Sequence, residues 1–382
     1  MDFSWSEQQL ALRDRYVRFA REELDAGVLE RDRSGVFSRE HWQKCADFGV
    51  LQLSVPEAYG GAADVDILTA TLAMEGLGYG CRDNGLAFGL NAQLWTVQLP
   101  IARFGTEEQK HRFLPDLCSG RRIGAHAITE PEAGSDVFSL RATAARCDGG
   151  YVLSGTKCLV TFAPIADLAL VFATIDPARG KWGITAFLVE RGTPGFGSGP
   201  AREKMGLRTV PIGELTFENC FVPEANRLGP EGAGVSISSQ SLEVERCCIL
   251  ASQLGAMQRQ LEAAVRFARE RRQFGQPIGK FQSVSNRIAE MRLRLETARL
   301  LLYKVAWLKA MNRPAMLEAA LLKLHLSESF VQSGLDAIHV HGGGGYLTES
   351  EVERDLRDAI GGTLYAGTSD IQRNIIARLV GL

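Results

Sequence analysis

A histidine followed by a glycine run near the C-terminus has the residue types of two kinds of catalytic site. The segment His341-Gly342-Gly343-Gly344 could supply the backbone of an oxyanion hole, but no G-x-S-x-G segment supplies a nucleophilic serine. His339 and His341 lie two residues apart, and no carboxylate or cysteine at ligand spacing completes a zinc site. The sequence therefore predicts neither a serine hydrolase nor a bound metal.

Nucleotide-binding motifs of the two commonest kinds are also absent. The chain contains no Walker A sequence, and no G-x-G-x-x-G segment follows a strand-like run. A nucleotide held by a Rossmann fold is therefore not predicted.

The predicted secondary structure that must position any site changes from helices to strands along the chain. The first third reads as helical, with capping pairs Ser6/Gln9 and Thr106/Gln109 ahead of amphipathic stretches. The middle third has short runs rich in Val, Ile, Leu, Phe and Thr between Gly- and Pro-containing loops, which predict an antiparallel sheet or barrel. The predicted strands are Gly150–Ser154, Leu168–Thr174, Trp182–Glu190 and Glu214–Val222.

The last third is helical again, and its helices are long. Apolar residues from Ile288 to Val305 recur every three or four positions, which indicates one buried seam of an antiparallel bundle. The predicted fold class is thus mostly α with a central β domain. A β module within a helical frame forms a cleft where the units meet, which is a common place for a cofactor.

Composition limits the partners of the chain. Its 382 residues are 45% hydrophobic and 23% charged with a net charge of −2, which favours no nucleic-acid-binding surface. No apolar run is long enough to span a bilayer, and the first residues lack a signal-peptide pattern. We expect a cytoplasmic protein with neither membrane nor nucleic acid as a partner.

Four segments, in this order and spacing, resemble the acyl-CoA dehydrogenase superfamily. They are Ile128-Thr129-Glu130-Pro131-Glu132-Ala133-Gly134-Ser135-Asp136 with Gly155-Thr156-Lys157 and Thr161; Glu270-Arg271-Arg272-Gln273-Phe274-Gly275 with Ile278 and Gln282; Gly342–Gly345 with Tyr346; and Gly367-Thr368-Ser369-Asp370-Ile371-Gln372-Arg373. The resemblance implies an N-terminal helical domain over 1–122, a β-barrel-like middle domain over 123–230 and a C-terminal four-helix bundle over 231–382. It also implies a homotetramer with one FAD per subunit.

The resemblance carries cofactor and substrate roles onto particular residues. Ile128, Thr129 and Ser135 are expected to line the flavin and the pantetheine side of the substrate, and Thr161 to lie near flavin N5. Arg271, Phe274 and Gln282 would reach the ADP part of a neighbouring subunit's FAD, where a guanidinium suits the diphosphate. Gly342 and Gly343 would let the backbone approach the cofactor closely. The remaining cofactor positions are Leu159, His339, Thr368 and Asp370, and the remaining substrate positions are Arg246 and Gly367.

The catalytic base is the main departure from the family pattern. Many relatives carry a glutamate immediately before the Gly-Thr of the fourth segment, and here that position is Ala366. Isovaleryl- and long-chain-type relatives instead carry it on a bundle helix before an arginine, which matches Glu245 and Arg246. Glu243 lies two residues away on the same helix and must face another direction. We therefore predict Glu245 as the base, with Ala366 contributing only its backbone N–H to the thioester carbonyl.

Two further departures lie beside cofactor positions. Phe162 follows Thr161 where relatives often have Asn, and His339 stands where many have Gln.

The resemblance predicts α,β-dehydrogenation of an acyl or aminoacyl thioester. Several stretches, among them Gly78–Leu86, Ala163–Asp167 and Phe281–Ile288, look closer to dehydrogenases of prolyl groups on carrier proteins. The alternatives are a short- or branched-chain acyl-CoA dehydrogenase of catabolism, a flavin monooxygenase on the same fold, and a non-enzymatic FAD-binding scaffold. The electron acceptor is left open between an electron-transfer flavoprotein and O2.

Overall fold

The computed structural model describes residues 4–63 and 65–382, and its first part is helical. Both predicted capping boxes are confirmed, because Gln9 N donates to Ser6 Oγ at 3.2 Å and Gln109 N donates to Thr106 Oγ1 at 3.2 Å. The helices are α1 (Glu7–Glu23), α2 (Val28–Ser34), α3 (Arg39–Phe48), α4 (Ile67–Gly80), α5 (Asn84–Ala92), α6 (Leu99–Phe104) and α7 (Glu107–Cys118), with a π-helical segment, Gln93–Gln98, joining α5 to α6.

An eight-stranded sheet follows the helices. Its strands are β1 (Gly124–Ala127), β2 (Thr143–Cys147), β3 (Gly150–Thr161), β4 (Leu168–Thr174), β5 (Ile184–Glu190), β6 (Phe196–Ser198), β7 (Ile212–Pro223) and β8 (Arg227–Leu228). They lie in the order β6-β7-β3-β2-β4-β5-β8, with β1 also paired to β4. Most pairs are antiparallel, as predicted, but β1 and β2 run parallel to β4.

The predicted strand Leu168–Thr174 is confirmed, and the others differ at their ends. β3 continues past Ser154 to Thr161 because β7 pairs with it along this whole length, with register shifts on either side of Lys157. Residues 182 and 183 belong to a 3-10 turn rather than to the start of β5. These differences arise from cross-strand pairing, which no local pattern reports.

The last part of the chain is a helical bundle. Its elements are α8 (Gly234–Cys248), α9 (Ala251–Glu270), a hairpin of β9 (Arg272–Gln273) and β10 (Gln276–Pro277), α10 (Gln282–Ala310), α11 (Met316–His341), α12 (Val352–Gly362) and α13 (Ser369–Leu379). The predicted seam is confirmed, since Met291, Leu295, Ala298, Leu302 and Val305 are all buried. In residues 4–63 and 65–382, no helix has the length and apolarity needed to cross a membrane.

The bundle is joined to the N-terminal helices by close packing of α4 on α9. A Cβ at Gly78 would overlap the carbonyl oxygen of Ser252, and a Cβ at Gly255 would overlap that of Glu75. Glycine at these two positions allows the two backbones to touch. The contact holds α9, and α8 just before it, in a fixed place against the rest of the molecule.

Candidate active site

A buried carboxylate, Glu245, lies on α8. The residue retains only 9% of its solvent exposure. Burial raises the pKa of Glu245 from 4.5 to about 7, while the positive charges of Arg246 and Lys323 oppose the rise. A carboxylate stripped of water in this way is a stronger proton acceptor at neutral pH than an exposed one.

The second glutamate of α8 has a different environment. Glu243 forms an ion pair with Lys309 of α10, with Oε2 and Nζ 2.7 Å apart. The ammonium group of Lys309 thereby balances the negative charge of Glu243. Of the two glutamates, Glu245 is the one whose carboxylate is free of such a direct partner among the described residues.

A tight turn between α12 and α13 is attached to α8 beside Glu245. Ala366 and Gly367 both have positive φ, of 53° and 87°. Arg246 Nε donates to the carbonyl oxygen of Ala366 at 3.3 Å, and Gln372 Nε2 donates to the same oxygen at 3.2 Å. Thr368 caps α13 by accepting from Ile371 N at 3.2 Å. The structure thus brings together Arg246, Ala366 and Gly367, three residues that the sequence also singled out.

The backbone N–H of Ala366 is free in this turn. No acceptor for it is found in residues 4–63 and 65–382, although the carbonyl of the same residue accepts two hydrogen bonds. A fixed N–H without an internal partner is the type of donor that can bind a substrate carbonyl oxygen. This geometry supports the role predicted for Ala366.

Two polar residues beside Glu245 were missed by the sequence reasoning. Gln253 Nε2 donates to the Tyr365 hydroxyl at 2.5 Å, and Gln253 Oε1 is buried with no hydrogen-bond donor near it among the residues that the structure describes. Burial and the charge of Glu245 raise the pKa of Tyr365, which packs against Phe88 at a ring distance of 4.7 Å. No local signal placed Gln253 here, because it lies on α9 while Glu245 lies on α8, and the break between the two helices sets how they face each other.

The predicted flavin-edge loop is held by a buried ion pair. Lys157 is fully buried, and its Nζ lies 2.6 Å from Glu130 Oε1 and donates to Ile128 O at 3.2 Å. Glu130 also accepts from the backbone N–H groups of Arg141 and Ala142, at 2.6 and 3.0 Å. The segment from Ile128 onward is therefore tied to β3 and to the start of β2.

Three predicted cofactor residues lie close together on this loop and β3. Cys158 N donates to Thr129 O at 2.9 Å, which places Thr129 beside the bulge of β3. At that bulge Leu159 has φ of 53° and is 68% exposed, while Thr161 ends the strand. Ser135 lies further along the loop and is exposed. An exposed apolar side chain held by strained backbone is suited to contact a flat ligand.

Phe162 belongs to the core rather than to this surface. Its side chain is fully buried, with ring distances of 5.5 Å to Phe37 and 5.3 Å to Trp42. The backbone at Phe162 has φ of 68°. Phenylalanine at this position, where relatives often have Asn, therefore packs the end of β3 against the N-terminal helices.

A second group of predicted cofactor residues lies at one end of the bundle. Arg271 follows the last residue of α9 and is exposed, and Phe274 at the tip of the hairpin is 92% exposed. Gln282 begins α10 and is also exposed. These side chains present a cation and an aromatic face to solvent.

The glycine run lies at this same end. The ring of His341 stacks on Phe267 at 4.4 Å, and Phe267 O accepts from Arg271 N. A Cβ placed on Gly342 or Gly343 would meet nothing within 4 Å, so the backbone borders open space. His339, in the last turn of α11, is exposed. Asp370, in the first turn of α13, is also exposed, and its Oδ1 lies 3.4 Å from Nη1 of Arg373. No hydrogen bond among the described residues joins this end of the bundle to the Ile128–Thr161 surface.

The three-part fold and the buried glutamate beside a free backbone donor define a class of flavoprotein. Models of the N-terminal, middle and C-terminal domains of acyl-CoA dehydrogenase match residues 6–121, 125–220 and 232–381. The chain belongs to the acyl-CoA dehydrogenase family.

Individual relatives of high similarity share one further property in their names. The chain is 42% identical to an L-prolyl-(peptidyl-carrier protein) dehydrogenase of Serratia sp., over 100% of this chain and 99% of the relative. Its structure matches that of the prolyl acyl carrier protein oxidase AnaB at a TM-score of 0.98 and 50% identity, covering 99% of this chain and 100% of the other. It matches PigA with FAD and proline at a TM-score of 0.98 and 42% identity, covering 100% of both chains.

Proposed function

We propose that this protein is an FAD-dependent dehydrogenase that oxidises the α–β carbon bond of a prolyl group held as a thioester on a carrier protein. The observation that carries the chemistry is that the buried carboxylate of Glu245 adjoins Arg246, whose side chain bonds the carbonyl of Ala366. The backbone N–H of Ala366 has no acceptor among the described residues. The substrate class is supported by the names of the relatives, which act on prolyl groups of carrier proteins.

The residues of the chain have separate tasks in this reaction. Glu245 accepts the proton that leaves the α carbon, and the Ala366 N–H donates to the thioester carbonyl oxygen as negative charge develops there. Arg246 and Gln372 hold the Ala366 carbonyl, which attaches the turn that carries the Ala366 N–H to α8 and α13. FAD, when bound, supplies the acceptor for the hydride from the β carbon.

The chain offers residues that fit FAD. The exposed Leu159, the nearby Thr129 and Thr161, and the loop from Ile128 to Ser135 form a surface for the flavin edge. Thr368 and Asp370, on the first turn of α13, belong to the same proposed set. Arg271, Phe274, Gln282, His339, Gly342 and Gly343 lie at a separate end of the bundle, so a second copy of the chain completes the site in a homotetramer.

Replacing Arg271 by Ala should weaken FAD binding about 10- to 100-fold, because a charge-assisted hydrogen bond to phosphate contributes about 1.5–3 kcal/mol. Titration of apoprotein with FAD, followed by flavin fluorescence, measures the change. Arg269→Ala is the matched control, since Arg269 is also exposed near the end of α9 and lies outside the proposed set. Equal affinities of the Arg271→Ala variant and wild type would remove Arg271 from the site.

Anaerobic bleaching of the bound flavin tests the substrate. Prolyl-loaded carrier protein should reduce the flavin, whereas the same carrier loaded with an acyl group lacking the ring nitrogen should act more slowly. Prolyl-CoA and short or branched acyl-CoAs form the comparison set. Fast bleaching by acyl-CoAs alone would instead make the protein a catabolic acyl-CoA dehydrogenase. Bleaching by none of the thioesters would contradict α,β-dehydrogenation itself.

Electron acceptor and compartment complete the proposal. Because a structural relative is named an oxidase, we propose O2 as an acceptor, with an electron-transfer flavoprotein as the alternative. Stopped-flow reoxidation of the reduced enzyme by each acceptor distinguishes the two.

We further propose that the protein acts in the cytoplasm, and that its domains divide at residues 122 and 230.

A further inference from the structure

A lysine is fully buried in the bundle with no partner for its ammonium group. Lys323 lies on α11 with no solvent exposure, and its Nζ makes no hydrogen bond to residues 4–63 or 65–382. Around it on the helix, Ala319, Ala320, Leu322 and Leu326 are buried and apolar, and the hydroxyl of Ser327 donates to the Lys323 carbonyl rather than meeting Nζ. Burying an amine without hydrogen bonds opposes folding, and neutral side chains of similar length would avoid this penalty. A lysine in such a place therefore calls for a role other than packing.

The charges that face Lys323 come mainly from α8. Glu245 and Arg246 both interact with it electrostatically, and Glu328 does so from its own helix. Burial and Arg246 lower the pKa of Lys323 to about 8, so its ammonium remains largely charged at neutral pH. Within the described residues, the site thus combines the buried cations Arg246 and Lys323 with an unpaired carboxylate, Glu245.

Two other carboxylates of these helices are already paired. Glu243 of α8 is held by Lys309 of α10, and Glu328 of α11 lies 2.5 Å from Arg373 of α13. From α9 the neighbouring group is Gln253, which is uncharged, and from the turn after α12 it is Tyr365. Of the two carboxylates that interact with Lys323, Glu245 is thus the one without an ion-pair partner among the described residues.

The two cations differ in what holds them. The guanidinium of Arg246 is tied to the carbonyl of Ala366, whereas Nζ of Lys323 has no hydrogen-bond partner in the described part of the chain. We propose that Lys323 is a positioning residue for proton abstraction, a buried positive charge that keeps the Glu245 carboxylate ionised while Arg246 holds the Ala366 turn. This inference rests on the proposed role of Glu245 as the base.

The positive charge of Lys323 is favourable both before and after the proton transfer. Before it, the ammonium opposes the tendency of a desolvated carboxylate to take a proton from water. After it, Glu245 is neutral and the negative charge lies on the thioester oxygen in the same cleft. The positive field is retained throughout, so Lys323 favours the ionised base without opposing the charge that develops on the substrate.

The test is a pH titration of Glu245 followed by infrared spectroscopy, which needs no substrate. The C=O stretching band of the protonated Glu245 carboxyl is assigned as the band that is missing from Glu245→Gln. In Lys323→Met, which keeps the chain length and removes the charge, the midpoint should rise by about one pH unit. Lys323→Gln, a second uncharged variant, should show the same shift if the methionine variant does not fold.

The matched control is Lys309→Met, which removes a lysine paired to the same helix through Glu243. Its Glu245 midpoint should equal that of wild type. An unchanged midpoint in the folded Lys323 variant, or an equal shift in Lys309→Met, would overturn the proposal and leave Lys323 a packing residue. A lower melting temperature without a shift has the same meaning.

A kinetic readout separates this inference from the proposed function. The rate of flavin reduction by prolyl-carrier protein falls at low pH, and the pH at which it is half-maximal should rise together with the infrared midpoint. If the infrared midpoint moves and the pH of half-maximal rate does not, Lys323 acts on Glu245 as proposed but Glu245 is not the base. If the thioester fails to reduce the flavin, the infrared result still decides the role of Lys323.

Discussion

Glu245→Gln should retain FAD and lose flavin reduction by about 100- to 10,000-fold, the usual contribution of a positioned general base. Glutamine has nearly the same shape as the carboxylate but cannot accept the α proton. In wild type, the rate should rise with pH through about 7, because only the ionised carboxylate is active and burial raises the pKa of Glu245 to about 7. Stopped-flow bleaching of the flavin by the thioester, measured across pH, gives both results.

The stability of the same variant provides an independent check. The pKa of Glu245 is higher in the folded protein than in the unfolded chain, so its stabilising contribution is lost as pH rises from about 4.5 through about 7. Glu245→Gln should therefore have a melting temperature at pH 8 equal to or above that of wild type. A structural ion-pair role would produce the opposite result. Glu243→Gln changes the other glutamate of α8 and disrupts its pair with Lys309 of α10, so this control variant should keep its activity.

Lys157→Met should lower the free energy of unfolding by about 3–5 kcal/mol, the effect of removing one partner of a buried ion pair. Glu130 would remain buried as an uncompensated charge, with only the two backbone N–H groups of Arg141 and Ala142 beside it. The loop that begins at Ile128 would also lose its bond to Nζ of Lys157. We expect a lower melting temperature together with weaker FAD binding, measured by denaturant unfolding and by titration of apoprotein.

The double variant Lys157→Met/Glu130→Gln separates these causes. Neutralising Glu130 removes the unpaired charge, and the glutamine oxygen can still accept a backbone N–H, so most of the lost stability should return. Lys110→Met is the surface control, because Lys110 pairs with the exposed Glu107 and should change stability by less than about 1 kcal/mol. If the double variant is no more stable than the single one, the ion pair is not what holds the loop.

Short-range signals in the sequence determined the secondary structure where the cause is local. The Ser6/Gln9 and Thr106/Gln109 caps are confirmed because such a cap needs only one turn of chain. The strand Leu168–Thr174 is confirmed because both of its faces are buried, which makes it continuously apolar. The order of four motifs also determined the family and the fold class, and a vacant position at 366 directed attention to Glu245.

Only the tertiary structure decided which groups face Glu245. Lys323, Gln253 and Tyr365 come from three other segments, and their burial depends on how α8, α9, α11 and the turn after α12 pack together. The bulge that exposes Leu159 depends likewise on pairing with β7 across more than fifty residues of chain. A lone lysine in an apolar helical stretch was a signal for Lys323, but the same pattern also describes a lysine that reaches solvent. Long-range packing fixes which of these environments a side chain occupies, because desolvation depends on all the elements around it rather than on its own helix.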